Sequence, residues 1–236
     1  MPGKNTRKNY VSNSYYHIYN RGVEKRVIFC DTQDSGVFLS YLKTYLLPKN
    51  EKSIQQKIAA LSTTWREKDR LIKELRLNNF YQEITLHCYC LMPNHFHLLL
   101  SQKSRGAIDE FMNSINTRYV MYFNRKYQRV GPLYQGVYKA VLVDNDEQLL
   151  HLSAYIHRNP IGAKRQTLHV HQGEALWTLN SCPSSLPEYL RLRTTKWLYT
   201  KNILTFFSKT NKNLSYEKFV LGSITKNSSI TELAID

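Results

Sequence analysis

ITLHCYCLMPNHFHLLL, residues Ile84 to Leu100, is the stretch whose reading decides the fold. An apolar, aromatic run ends at Met92, and Pro93-Asn94 interrupts it. His95-Phe96-His97 then leads directly into Leu98-Leu99-Leu100. A Pro-Asn pair between two such runs reads as a turn between two paired strands. Side chains alternate faces along a strand, so His95 and His97 share one face and Phe96 takes the other. Two imidazoles about 7 Å apart on a rigid strand are either a metal-binding pair or a structural pair. His-x-His alone favours the structural reading. Here the pair follows a turn and sits among strongly apolar neighbours. Its reading therefore depends on whether the chain supplies a further ligand and a nucleophile elsewhere.

The chain has 236 residues, 42% of them hydrophobic. That suffices for one sizeable core, or a core with a smaller appended unit. Lys and Arg number 33 against 18 Asp and Glu, a formal charge of +15. A domain this basic usually meets a polyanion, and nucleic acid is the favoured partner. No apolar run of about 18 residues and no export signal is found, so a membrane partner is not expected. Cys30, Cys88, Cys90 and Cys182 are too scattered for a disulfide framework and read as reduced thiols. Cys88-Tyr89-Cys90 lies near the histidines, but structural zinc sites prefer wider spacings, and core thiols are the default.

Outward from this hairpin, residues 1 to 13 read as a basic arm. Ser14 to Tyr19 reads as a strand, with Asn20-Arg21-Gly22 as its exit turn. Apolar residues from Ser35 to Leu47 recur at helical spacing. Residues 49 to 79 are charged and polar and predict a helical excursion or hairpin standing off the core. Ile108 to Tyr127 predicts a second amphipathic helix with a basic flank, and Gly131-Pro132 stops it. Leu133 to Val143 predicts a strand with a weak point at Gly136. Glu147 to Arg158 predicts a third helix that ends at Asn159-Pro160. If its last turn persists, His151, Tyr155 and Asn159 lie along one face. Leu186 to Ser208 and Ser215 to Leu221 read as short helices of a small C-terminal unit. The order strand, helix, strand hairpin, helix, strand, helix predicts an α+β fold: an antiparallel sheet with helices on one face.

Cleavage of a phosphodiester by a protein nucleophile needs a metal to polarise the phosphate, a side-chain oxygen to attack, and positive charge with stacking to hold the strand. His95 and His97 are candidates for the metal, Tyr155 for the attack, and Asn159 for a further amide ligand. An unperturbed phenol has a pKa of about 10, so a tyrosine nucleophile needs a metal or nearby cations. With 17 tyrosines in the chain, spacing alone does not single out Tyr155. A second pair, His169-Val170-His171, sits in a polar segment and reads as a loop coincidence.

Four stretches together resemble the single-tyrosine transposases of the HUH superfamily, specifically the REP-associated tyrosine transposases and their insertion-sequence relatives. They are YHIYNRG from Tyr16, CLMPNHFHLLL from Cys90, RYVMYFNRKYQRVGPLYQGVYKA from Arg118, and AYIHRNP from Ala154. They span residues 14 to 162 in the family's order. The resemblance implies a ferredoxin-like antiparallel sheet within a domain at 14 to 165, followed by a variable region at 166 to 236. It implies His95, His97 and Asn159 as metal ligands, magnesium or manganese as the ion, and Tyr155 as the nucleophile of a 5′-phosphotyrosine intermediate. It further implies single-stranded DNA with a REP-like hairpin as partner, a bacterial, nucleoid-associated setting, and a monomer or homodimer. Tyr16, Asn20, Arg21, Arg118, Arg125, Lys126, Arg129, Lys139 and Arg158 are the expected nucleic-acid contacts. Two alternatives stand beside this reading: a non-catalytic hairpin-binding protein with structural histidines, and a zinc-stabilised RNA-binding domain using Cys88 and Cys90.

Overall fold

The computed structural model describes residues 10–165, 182–208, 211 and 214–222. The pair His169 and His171 lies outside the described residues. Four antiparallel strands form the sheet: β1 Ser14–Arg21, β2 Ile84–Met92, β3 His95–Gln102 and β4 Lys139–Val143, in the order β2-β3-β1-β4. Helix α1, Thr32–Leu46, follows β1, and helix α4, Ala107–Lys126, follows β3. The sequence β1-α1-β2-β3-α4-β4 with this strand order is the expected ferredoxin-like arrangement. Asp31 caps α1 by accepting from the Asp34 backbone N–H at 2.9 Å.

Strand alternation divides the core in two. Tyr16, Ile18, Leu86, Tyr89, Leu91, Phe96, Leu98 and Leu100 face α1 and α4, where Phe38, Leu42, Ile108, Phe111, Ile115 and Tyr119 meet them. Cys88, Cys90, Met92, Leu99 and Val143 face the other way, towards helix α5, Asp146–Arg165. A shift in the β2–β3 register between Leu86 and Cys88 restores the alternation. Helices therefore cover both faces, which corrects the expectation of one covered face. The cause is visible in the strands. Leu98, Leu99 and Leu100 are all fully buried although they alternate sides, and such a run needs a cover on each face.

Helix α5 also runs past its expected end. Pro160 lies inside it and the helix continues to Arg165. Proline removes one backbone donor. In the turn before it, Arg158 Nε donates to the Ala154 carbonyl at 3.1 Å and Asn159 Nδ2 to the Tyr155 carbonyl at 3.2 Å. Asn159 stays helical, one turn beyond Tyr155.

Helices α2, Glu51–Ala59, and α3, Trp65–Leu75, make the expected excursion; Thr64 and Glu67 form a capping box that starts α3. Its ends are drawn together where the Phe80 N–H meets the Tyr45 carbonyl at 2.8 Å and Asn79 Nδ2 the Leu47 carbonyl at 2.7 Å. The strand expected from Leu133 is shorter, beginning only at Lys139. Residues before it instead cap the end of β1, with Val23 N–H to the Leu133 carbonyl at 2.9 Å and Gln135 N–H to the Arg21 carbonyl at 3.0 Å. The helix expected over Leu186–Ser208 is two single turns, α6 Leu186–Tyr189 and α7 Lys201–Leu204. The chain between them is extended or irregular because its side chains are committed elsewhere: Arg193 pairs with Glu188 and Trp197 stacks on Tyr89. Helix α8, Tyr216–Gly222, follows. Leu186, Tyr189, Ile203, Tyr216 and Val220 pack with α5 on the second core.

Candidate catalytic site

The turn carrying the two histidines is held by the loop that leaves β1. Pro93 accepts the backbone N–H groups of Ile28 and Phe29 at 2.7 and 3.0 Å, and the Asn94 carbonyl accepts that of Gly22 at 2.9 Å. Gly22 is required there: a Cβ would come within 2.3 Å of the Arg26 carbonyl oxygen. The NRG sequence read as an exit turn thus belongs to the last strand residues plus a glycine whose close packing braces the histidine turn.

Register then assembles the site. On β1, Tyr19 pairs with His97 and Arg21 with His95; on the other side of β3, Cys90 pairs with His97 and Met92 with His95. Residues paired in register share a face, so His95 and His97 look towards α5. Leu149, Leu152 and Ile156 bury that helix against the sheet and bring Tyr155 over the imidazoles. The Tyr155 ring centre lies 5.7 Å from that of His97, edge-on at 87°, and the His95 and His97 rings are 5.0 Å apart.

His95 Nδ1 meets Asn94 Oδ1 at 2.6 Å, which leaves Nε2 for the site. His97 is fully buried, and its Nε2 has no hydrogen-bond partner. Burial holds both rings neutral. It pushes His95 down to about 4, with help from the nearby Arg21 charge, and pushes His97 well below the ordinary value, with His17 and His95 adding to the effect. The Asn159 carboxamide opposes this at both rings as a polar neighbour. Among the described residues no cluster of three His, Cys, Asp or Glu side chains forms a metal site. The set present is two neutral imidazole nitrogens and one amide.

Sequence reasoning missed His17 and Tyr19. His17 Nε2 lies 2.8 Å from His97 Nδ1, with the ring planes 16° apart, and its ring is 6.1 Å from that of Tyr155. Tyr19 is half-buried beside both, and burial, then proximity to Tyr155, raises its pKa. The period-two spacing of Tyr15, His17 and Tyr19 was visible; the strand they would pair with was not. His151 stays away from the imidazoles and packs on Phe219, 5.3 Å between ring centres.

Residues 63–159 match the family of IS200-like transposases. The match includes His95, His97, Tyr155 and Asn159 and agrees with the family expected from the motifs. A solved structure of a REP-associated tyrosine transposase bound to a REP hairpin is similar over 89% of this chain and 96% of that one, at 11% identity and a TM-score of 0.45. No curated protein matches the chain.

The expected nucleic-acid contacts separate into groups. Arg21 stands beside His95 with its Nε buried and unpartnered, and Lys139 is exposed on the neighbouring edge strand, on the same face. Arg158 is half-buried on α5. Arg118 lies 4.0 Å over the Tyr41 ring and Arg129 5.8 Å over Phe123, both on α4 or just past it, across the sheet from the imidazoles. Arg125 is exposed there. Three of the expected contacts have partners within the fold. Tyr16 is buried in the first core, where its hydroxyl accepts the Val11 N–H at 2.7 Å. Asn20 is buried and donates to the Gly136 carbonyl at 3.1 Å. Lys126 is paired with Asp31 and Asp34 at 2.6 and 2.7 Å. Each is already bonded within the fold, and charge or aromatic character in the sequence does not reveal that. Cys88 and Cys90 are buried core thiols; Cys88 Sγ lies 3.2 Å from His157 Nε2.

Proposed function

We propose that this protein is a metal-dependent, single-strand DNA endonuclease and strand transferase that cleaves beside a hairpin and carries the broken end on Tyr155. One observation supports this above the rest: the Tyr155 phenol on α5 stands 5.7 Å, centre to centre, from the His97 imidazole, whose Nε2 is buried and unpartnered. Magnesium or manganese would be held by His97 Nε2, His95 Nε2 and the Asn159 carboxamide oxygen, with positions left for phosphate oxygens. When bound, the ion supplies charge that polarises the scissile phosphate.

The remaining chemistry belongs to the chain. The Tyr155 oxygen gives up its proton and bonds to phosphorus. The bond from phosphorus to the preceding 3′ oxygen breaks, and that oxygen takes up a proton as a 3′-OH. The 5′ phosphate stays joined to Tyr155, and the same steps in reverse join it to a 3′-OH without ATP. Arg21 and Lys139 lie on the same face and would meet the strand's phosphates. A hairpin is the partner that the sequence motifs imply, and the +15 charge suits any nucleic acid.

The test is incubation of protein, Mn²⁺ and a hairpin oligonucleotide with its flanking single strand, read on a denaturing gel. An adduct that needs the ion and disappears in Tyr155→Phe is expected. Hairpin binding indifferent to chelator, with no cleavage, would instead identify a non-catalytic binding protein.

A further inference from the structure

His17 is fully buried in the central strand, yet it is polar and faces the site. Its Nε2 and His97 Nδ1 are 2.8 Å apart, while His17 Nδ1 and His97 Nε2 have no partner. A neutral imidazole carries one N–H, so this bond holds a single proton and has two possible arrangements. If His17 donates, His97 carries its hydrogen on Nε2, aimed into the site, and cannot accept a cation. If His97 donates from Nδ1, its Nε2 presents a bare lone pair to the site.

We propose that His17 is a positioning residue that accepts the Nδ1–H of His97 and thereby fixes this ring in the orientation and tautomer that binds a cation. This rests on the metal-dependent reading of the site. Ligating histidines are commonly oriented this way, through the ring nitrogen that does not touch the ion. The partner here is another imidazole on the adjacent strand. The rings lie edge to edge and nearly coplanar, 16° apart in plane and 5.1 Å between centres, so His97 cannot rotate without losing the bond. His17 lies outside the residues that match the transposase family, 63–159, so the device belongs to a strand that match does not reach.

Two measurements test it. In ring-nitrogen NMR of the metal-free wild-type chain, the His97 proton is expected on Nδ1; a proton on Nε2 overturns the inference and needs no variant. In calorimetric Mn²⁺ titrations, His17→Phe is expected to bind about 10- to 100-fold more weakly. His17→Gln, whose amide oxygen can accept the same N–H, is expected to recover most of that loss. Wild-type binding with undiminished affinity in His17→Phe overturns the inference alone. Wild-type protein that binds no Mn²⁺ overturns the metal reading as well.

Discussion

Acidification from about pH 7.5 to about pH 5 should destabilise this fold by several kcal/mol, through histidines that are buried uncharged. His157 illustrates the effect. Its Nδ1 lies 2.7 Å from the Tyr216 hydroxyl and its Nε2 2.8 Å from Ser185 Oγ, in the core that joins α5 to α6 and α8. Burial lowers its pKa from 6.5 to about 3, that of His17 to about 3, and that of His87 to about 4. These folded-state values lie below the unfolded one. The contribution is therefore complete above 6.5 and declines as the pH falls towards the folded values, because the unfolded chain takes up protons first. At about pH 5 each such group forfeits about 2 kcal/mol. Three of them together forfeit about 6 kcal/mol, comparable with the whole stability of a typical domain. Urea titrations followed by circular dichroism at the two pH values read the difference directly. An unchanged urea midpoint, or a higher one at the lower pH, would refute the reasoning, because it would require these imidazoles to be hydrated or charged in the folded chain.

Three further outcomes follow from named contacts. Lys126→Met removes the cation beside the buried Asp34 carboxylate and should cost about 3 kcal/mol in urea unfolding, with the three neutral donors to Asp34 retained. Arg125→Ala on the same helix should leave stability unchanged, since Arg125 is exposed. Replacing residues 51–76 with a short Gly/Ser linker should preserve the fold and Mn²⁺ binding, because Tyr45 and Phe80 already close the base of the excursion; loss of the near-ultraviolet dichroism signal would contradict this.

The parts of this protein legible in its sequence are those set by local spacing. Pro93-Asn94 between apolar runs fixed the β2–β3 hairpin. Alternation placed His95 and His97 on one face, and the four-residue step carried Tyr155 and Asn159 along one side of α5. Long-range pairing was hidden. Nothing in YHIYN states that its histidine will lie diagonal to His97, and nothing in the basic flank of α4 states that it will lie across the sheet from the site. The two-sided burial of β3 was foreshadowed by Leu98-Leu99-Leu100, but the amphipathic helices could not say which of them would cover the second face. Pro160 misled because it normally ends a helix, whereas here α5 runs through it to Arg165.

The most direct test of the central claim is to locate the covalent bond to DNA. Trypsin releases residues 140–158, AVLVDNDEQLLHLSAYIHR, as one peptide in which Tyr155 is the only tyrosine. After reaction with Mn²⁺ and a hairpin substrate, mass spectrometry should find the nucleotide-bearing phosphotyrosine in that peptide. A nucleotide adduct on any other tryptic peptide would contradict the assignment of Tyr155 as the nucleophile.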